Sequence, residues 1–123
     1  MRFVWAAFLI IAAAPACAEW EHMVSSAGIT IYIDPQTIRD EAGMRRVVAL
    51  VSYSDVLPNG ARSQRGIMEY DCKERRFRTA TFSQYTEPLA QGVMLSDNSE
   101  PSEWSGVRPD TFAAHSLDYV CTK

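Results

Sequence analysis

The stretch EYDCKERRFR, residues 69 to 78, sets one cysteine among four basic and three acidic side chains. Cationic neighbours lower a thiol's pKa and favour the nucleophilic thiolate. Cys72 is therefore a candidate nucleophile, metal ligand or disulfide partner. A nucleophile needs a base, and the only histidines are His22 and His115. His115 stands six residues before Cys121, close enough in sequence to lie near a bridge. Neither pairs with a cysteine in a C-x-x-C or H-x-x-x-H spacing, so zinc is not expected. In HSLD, His115, Ser116 and Asp118 fall within one helical turn, where adjacent positions do not face each other; this is no triad. No nucleophile elbow, phosphate loop or glycine-rich dinucleotide turn occurs. Carboxylates are plentiful, but no spacing singles out a pair for glycoside hydrolysis. The sequence predicts no catalytic, metal-binding or cofactor-binding residue.

The N-terminus bears on the thiols. Arg2 precedes an apolar run from Phe3 to Ala14, and Ala16-Cys17-Ala18 gives a small-x-small pattern. A spanning helix takes about 20 apolar residues, so the run is too short. It reads as a secretory signal over residues 1–18, cleaved after Ala18, with one domain over 19–123 and no membrane-spanning segment in it. A lipoprotein reading uses Cys17 as the lipidated residue. Such signals usually carry Leu three residues earlier, where this chain has Ala14. Lipid anchoring in an outer membrane is thus the less favoured alternative.

Either way Cys17 leaves the count. Cys72 and Cys121 remain, an even number in an oxidising compartment, and one intramolecular pairing exists. The expectation is a Cys72–Cys121 disulfide closing a loop of about 50 residues, worth about 4 kcal/mol in the chain-entropy model. Without Arg2, eleven basic side chains oppose fifteen acidic ones, a formal −4. That balance offers no electrostatic footprint for nucleic acid or anionic membrane. It suits an exported domain, periplasmic or secreted.

The elements that would position these residues follow from periodicity. ITIYID alternates strictly, with Ile29, Ile31 and Ile33 on one side, as a half-buried strand does. Asp34-Pro35 should end it, leaving PQTIRDEAG as a turn-rich connection with a short helical turn. RRVVALVSYSD is apolar on both faces, so it should be a central strand covered on both sides. Asn59-Gly60 marks a hairpin tip. RGIMEYDC and RFRTATFSQY read as paired strands, with WEHMV and GVMLSD as shorter ones. NSEPSEWSGVRP reads as irregular. In DTFAAHSLDYVCTK the period changes: Ala113, Leu117 and Cys121 fall at i, i+4 and i+8, with Ser116 and Val120 extending that face. Pro109 precedes it, and Asp110 or Thr111 is the candidate N-cap. A bridge from Cys121 to Cys72 lays this helix across the sheet, covering the two-faced strand.

If Lys73-Glu74 form a two-residue turn, Cys72 faces Arg75, Asp71 faces Arg76, Tyr70 faces Phe77 and Glu69 faces Arg78. Two opposite-charge pairs then share one face, each worth roughly 0.2–1 kcal/mol. The basic cluster is largely neutralised by its own partner strand. Trp20, Trp104, Tyr85 and Tyr119 read mainly as packing at sheet and helix edges. Contacts to a partner are expected from Lys73, Arg75 and Trp104.

The order of these motifs resembles the surface-adhesin protein E-like domain of secreted and outer-membrane bacterial proteins. The matching residues are Trp20, GITIYIDPQTIR (28–39), YDCKERRFR (70–78), PSEWSGVRPDT (101–111) and Cys121. The resemblance implies an α+β fold: one antiparallel sheet of about six strands with a C-terminal helix on a face, held by Cys72–Cys121. It also implies a non-catalytic binding domain of the cell envelope or medium, adhesin-like, whose partner is a host-matrix or envelope protein. The alternatives are an inhibitor of a secreted hydrolase presenting SDNSEPSEW (96–104) and, less favoured, a small periplasmic enzyme. Two departures from the family pattern stand out, the poor lipidation signal and PDT where relatives tend to place Gly before the capping hydroxyl residue.

Overall fold

The computed structural model describes residues 19–123, and the expected secretory signal over 1–18, with its expected cleavage after Ala18, lies outside the described residues. Six strands form an antiparallel meander in chain order: β1 (Glu21–Ser26), β2 (Ile29–Glu41), β3 (Met44–Tyr53), β4 (Ser63–Asp71), β5 (Arg76–Glu87) and β6 (Gln91–Asn98). A two-residue strand, β7 (Ser105–Gly106), pairs with β5 beyond the end of β6. One helix, α1 (Phe112–Cys121), closes the chain. The α+β architecture expected from the sequence is the one observed.

Two hairpins use the same dipeptide. Ala27-Gly28 joins β1 to β2 and Ala42-Gly43 joins β2 to β3, with all four residues at positive φ, between 51° and 79°. Consecutive positive φ values match the twist of the flanking strands, and glycine takes half of each turn without strain.

At Asp34-Pro35 the sequence expectation fails, because β2 runs on to Glu41. Asp34 pairs with Val48 and Arg39 with Arg46, so residues 35–38 stand opposite Val47 alone. Pro35 brings no N–H, and the excess chain is stitched locally instead. The Gln36 N–H donates to Asp34 Oδ1 at 3.1 Å, and the Thr37 hydroxyl donates to the Asp34 carbonyl at 2.7 Å. Thr37 Oγ1 also accepts from the Val48 N–H at 2.9 Å, satisfying the donor that the bulge leaves over. Proline at a bulge costs the ladder nothing, which is why the strand survives it.

The central strand β3 is buried on both faces, as its composition demands. Val47 and Ala49 face the helix, in a core with Met23, Ile33, Tyr70, Leu117 and Val120. Leu50, fully buried, points the other way by alternation. The helix covers only the first face. Over the second, the turn Pro88–Ala90 folds back against β3 and β4. Ser63 fixes that turn: its hydroxyl donates to the Glu87 carbonyl at 2.6 Å and accepts the Ala90 N–H at 2.9 Å.

Of the two candidate caps, Thr111 is used, its Oγ1 accepting the Ala114 N–H at 3.2 Å. Its buried residues are Ala114, Ser116, Leu117 and Val120, while Ala113 is half-buried, so the apolar face is rotated slightly from the sequence expectation. Cys72 and Cys121 are disulfide-bonded, with Cα atoms 5.8 Å apart. Tyr119 adds a tie to the far edge by donating its hydroxyl to Glu21 Oε2 on β1.

Candidate functional site

The pairing through the opening stretch has Glu69 opposite Arg78, Tyr70 opposite Phe77 and Asp71 opposite Arg76. Tyr70 and Phe77 point to the helix and stack with ring centroids 6.3 Å apart. Burial pushes the Tyr70 hydroxyl up to about 12, opposed in part by a hydrogen bond with Ser116. On the opposite face Arg76 Nε meets Asp71 at 2.9 Å and Arg78 Nε meets Glu69 at 3.3 Å.

The turn is longer than a two-residue one. Pairing stops at Asp71 and Arg76, leaving Cys72 to Arg75 as the connection, with Arg75 at φ 50°. Cys72 bonds to the helix and does not face Arg75. The Glu74 N–H donates to Asp71 Oδ1 at 3.1 Å, closing the turn. Arg75 reaches the helix too, with Nη1 3.0 Å from Asp118 Oδ1. Lys73 is exposed and takes part in no ion pair among the described residues. Trp104 lies half-buried over both neighbouring guanidinium groups, 4.7 Å from Arg76 and 4.5 Å from Arg78.

Asp71 makes this turn pH-sensitive. The backbone N–H of Glu74, and then Arg76, hold its carboxyl below the ordinary carboxylate value. A depressed native pKa contributes stability that is present above the unfolded value of about 4 and lost as pH falls below it. The expected outcome is that Asp71→Asn lowers the melting temperature at pH 7. At pH 2.5 the variant and the parent should melt much closer together. A gap that stays constant across this range would contradict the assignment.

A second surface was not anticipated. The described residues with large, exposed apolar side chains are Val56, Leu89, Val93, Met94 and Leu95, and Val93 is 66% exposed. Three are consecutive on β6, and Leu89 sits in the turn that leads into it. The loop bearing Val56 comes against the same strand, since a methyl placed on Gly60 would meet Leu95 Cδ1 at 3.8 Å. β6 is also a sheet edge, pairing only with β5. Edge strands are normally blunted by charge, proline or a bulge; Val93-Met94-Leu95 carries no charge or proline, and its pairing with β5 shifts register on either side of Met94. At the other edge, β1 presents Glu21, His22, Ser25 and Ser26 and is tied to α1 by Tyr119.

The two surfaces share one flank. Along the outer side of β5, β6 occupies one half and β7 the other. Between them the Ser102 N–H donates to the Thr79 carbonyl at 2.9 Å, and Ser102 Oγ accepts the Thr79 N–H at 3.0 Å. Val107 N–H donates to the Arg75 carbonyl at 2.9 Å, bringing the Lys73 turn to the end of this flank. Of the 96–104 stretch, Ser96 to Asn98 belong to β6, and only the remainder is irregular. His22 and His115 lie on β1 and on the exposed side of α1.

The profile of the surface-adhesin protein E family matches residues 20–122. The chain belongs to the surface-adhesin protein E family. A selenomethionine form of Haemophilus influenzae protein E superposes with a TM-score of 0.67 at 20% identity, covering 85% of this chain and 86% of that one. A second structure of H. influenzae protein E gives 0.64 at 20% identity, over 89% and 90% of the two chains. Protein E from a non-typeable strain gives 0.63 at 20% identity, over 89% and 81%. At this identity the likeness is one of fold. No curated protein sequence matches the chain. Membership makes this an adhesin-like surface protein at the level of the family, and no helix among the described residues is long and apolar enough to cross a membrane.

Proposed function

We propose that the chain is an exported, non-catalytic binding domain, released by cleavage after Ala18, that holds a host-matrix or envelope protein along the β5–β6 flank. One observation carries this reading: the exposed large apolar side chains gather at an unpaired strand edge. Contiguous apolar surface of this kind marks interaction sites. An open edge also specifies its occupant, because free N–H and C=O groups are matched by another extended backbone. A partner segment adding a strand to β6 would draw affinity from main-chain hydrogen bonds and specificity from alternate side chains. Lys73, Arg75 and Trp104 continue the contact at the other end of the flank.

The test is a sensor titration of the purified mature domain against matrix glycoproteins and outer-membrane components. Saturable binding to at least one is expected, and combining Val93→Asp with Leu95→Asp should weaken it by more than about tenfold, since two apolar anchors become charges against the partner. Absence of a saturable partner across the panel would end the adhesin reading.

A further inference from the structure

The disulfide and the Arg75–Asp118 pair both hold the C-terminal half of α1. There Leu117 and Val120 close completely onto the sheet. Beneath the first turn the packing opens. A cavity of about 370 Å³ lies between helix and sheet, walled by Ile31, Val51, Met68, Phe77, Phe112 and Ala113. Its cause is residue size, since Ala113 and Ser116 on the helix stand over Ala49 on β3. Interiors rarely leave a void larger than a water molecule. This one is more than twice the roughly 150 Å³ apolar cavity that takes up benzene.

The walls also dictate the occupant. No charged side chain lines the cavity. Its few hydroxyls are those of Thr111, which bonds the Ala114 N–H and the Arg108 carbonyl, and of Tyr70 and Ser116, which lie against each other. A buried water needs two to four polar partners, and a wall this apolar offers few. The wall is therefore suited to hydrocarbon and to little else. The cavity is also open on one side. A wholly apolar solute would leave part of itself in water, whereas an amphiphile keeps its polar head there at no loss.

We infer that this cavity binds a single hydrocarbon chain of an amphiphile, with the polar head outside at the mouth. By the benzene comparison the chain is roughly ten to fifteen carbons long. The site is distinct from the β6 edge and does not depend on the adhesin reading.

Calorimetric titration of the disulfide-intact mature domain with decanoate and with decan-1-ol tests it. Both should bind one-to-one with similar affinity, because the head contributes little. Octanoate should bind more weakly by about fourfold per methylene removed. Ala113→Leu fills the space and should weaken decanoate by at least about tenfold. Should that variant not fold, methyl shifts in the parent decide: Ile31, Val51 and Met68 should move on titration while Val93 and Leu95 do not. Phosphatidylcholine vesicles distinguish the source. Pelleting that Ala113→Leu abolishes assigns the chain to a lipid, and binding of decanoate without pelleting assigns it to a free amphiphile. No saturable binding, shifts confined to β6, or affinity unchanged by Ala113→Leu would overturn the inference.

Discussion

Replacing Cys72 and Cys121 together by alanine should lower the stability of the domain by about 4 kcal/mol, the chain-entropy value for a loop of this length. The bridge spans 49 positions and joins the β4–β5 turn to the last residue of the helix. Domains of this size have only about 5–15 kcal/mol in total, so a large share of the margin is at stake. A melting midpoint lower by about 15 °C is expected in a thermal scan of the variant. Reduction of the parent should reproduce it. The loss should concentrate in the helix, because the Arg75–Asp118 pair that remains is exposed on both sides. Exposed pairs are worth at most about 1 kcal/mol and cannot replace a covalent tie. A midpoint lowered by less than about 4 °C, equivalent to about 1 kcal/mol, would mean that the sheet holds the helix without the bridge.

Leu117→Ala should cost about 3 kcal/mol, within the 2–5 kcal/mol found for large-to-small changes at closed sites. Leu117 is 1% exposed and belongs to the same core cluster as Ile33, Val47 and Tyr70. Those neighbours are fixed by strand pairing and cannot collapse into the space. Val120 beside it is equally enclosed, so the helix has two such anchors. His115→Ala, on the exposed side of α1, is the matched control and should change stability by less than about 0.5 kcal/mol. Urea unfolding of the three proteins measures all of this. Because Leu117 and Cys121 hold one helix, removing both should cost less than the sum of the separate effects. An additive result would show the two anchors to act independently.

Much of this arrangement was legible in the sequence because its signals are local or arithmetic. The alternation in ITIYID, the two-faced β3 segment and the change of period after Pro109 each name an element through burial alone. An even pair of cysteines in an exported chain named the bridge. A turn centred on Lys73-Glu74 set the register of Glu69 against Arg78 and Asp71 against Arg76, and the pairing keeps that register although the connection is longer. What was missed needs information carried by distant segments. Asp34-Pro35 looks like a terminus until Val48, eleven residues beyond Thr37, supplies the N–H that the threonine hydroxyl accepts. The four-residue turn carries Cys72, bonded to Cys121, 49 positions away, a contact no local rule contains. The β6 edge was invisible for the same reason, because GVMLSD reads as an ordinary short strand until the sheet order leaves its outer side open. Its one local clue was the run Val93-Met94-Leu95, apolar on both faces of a strand with nothing to cover it. The cavity is a matter of residue sizes meeting across two elements, and Ala49, Ala113 and Ser116 give no sign of it singly.

The claim that a partner is held along β6 is tested most directly by hydrogen–deuterium exchange of the mature domain with and without a bound partner protein. Backbone amides of Gly92 to Ser96 should exchange more slowly in the complex, with a smaller effect at Lys73, Arg75 and Trp104 at the far end of the flank. Unchanged exchange along β6, with protection appearing on β1 or on the exposed side of α1, would contradict it.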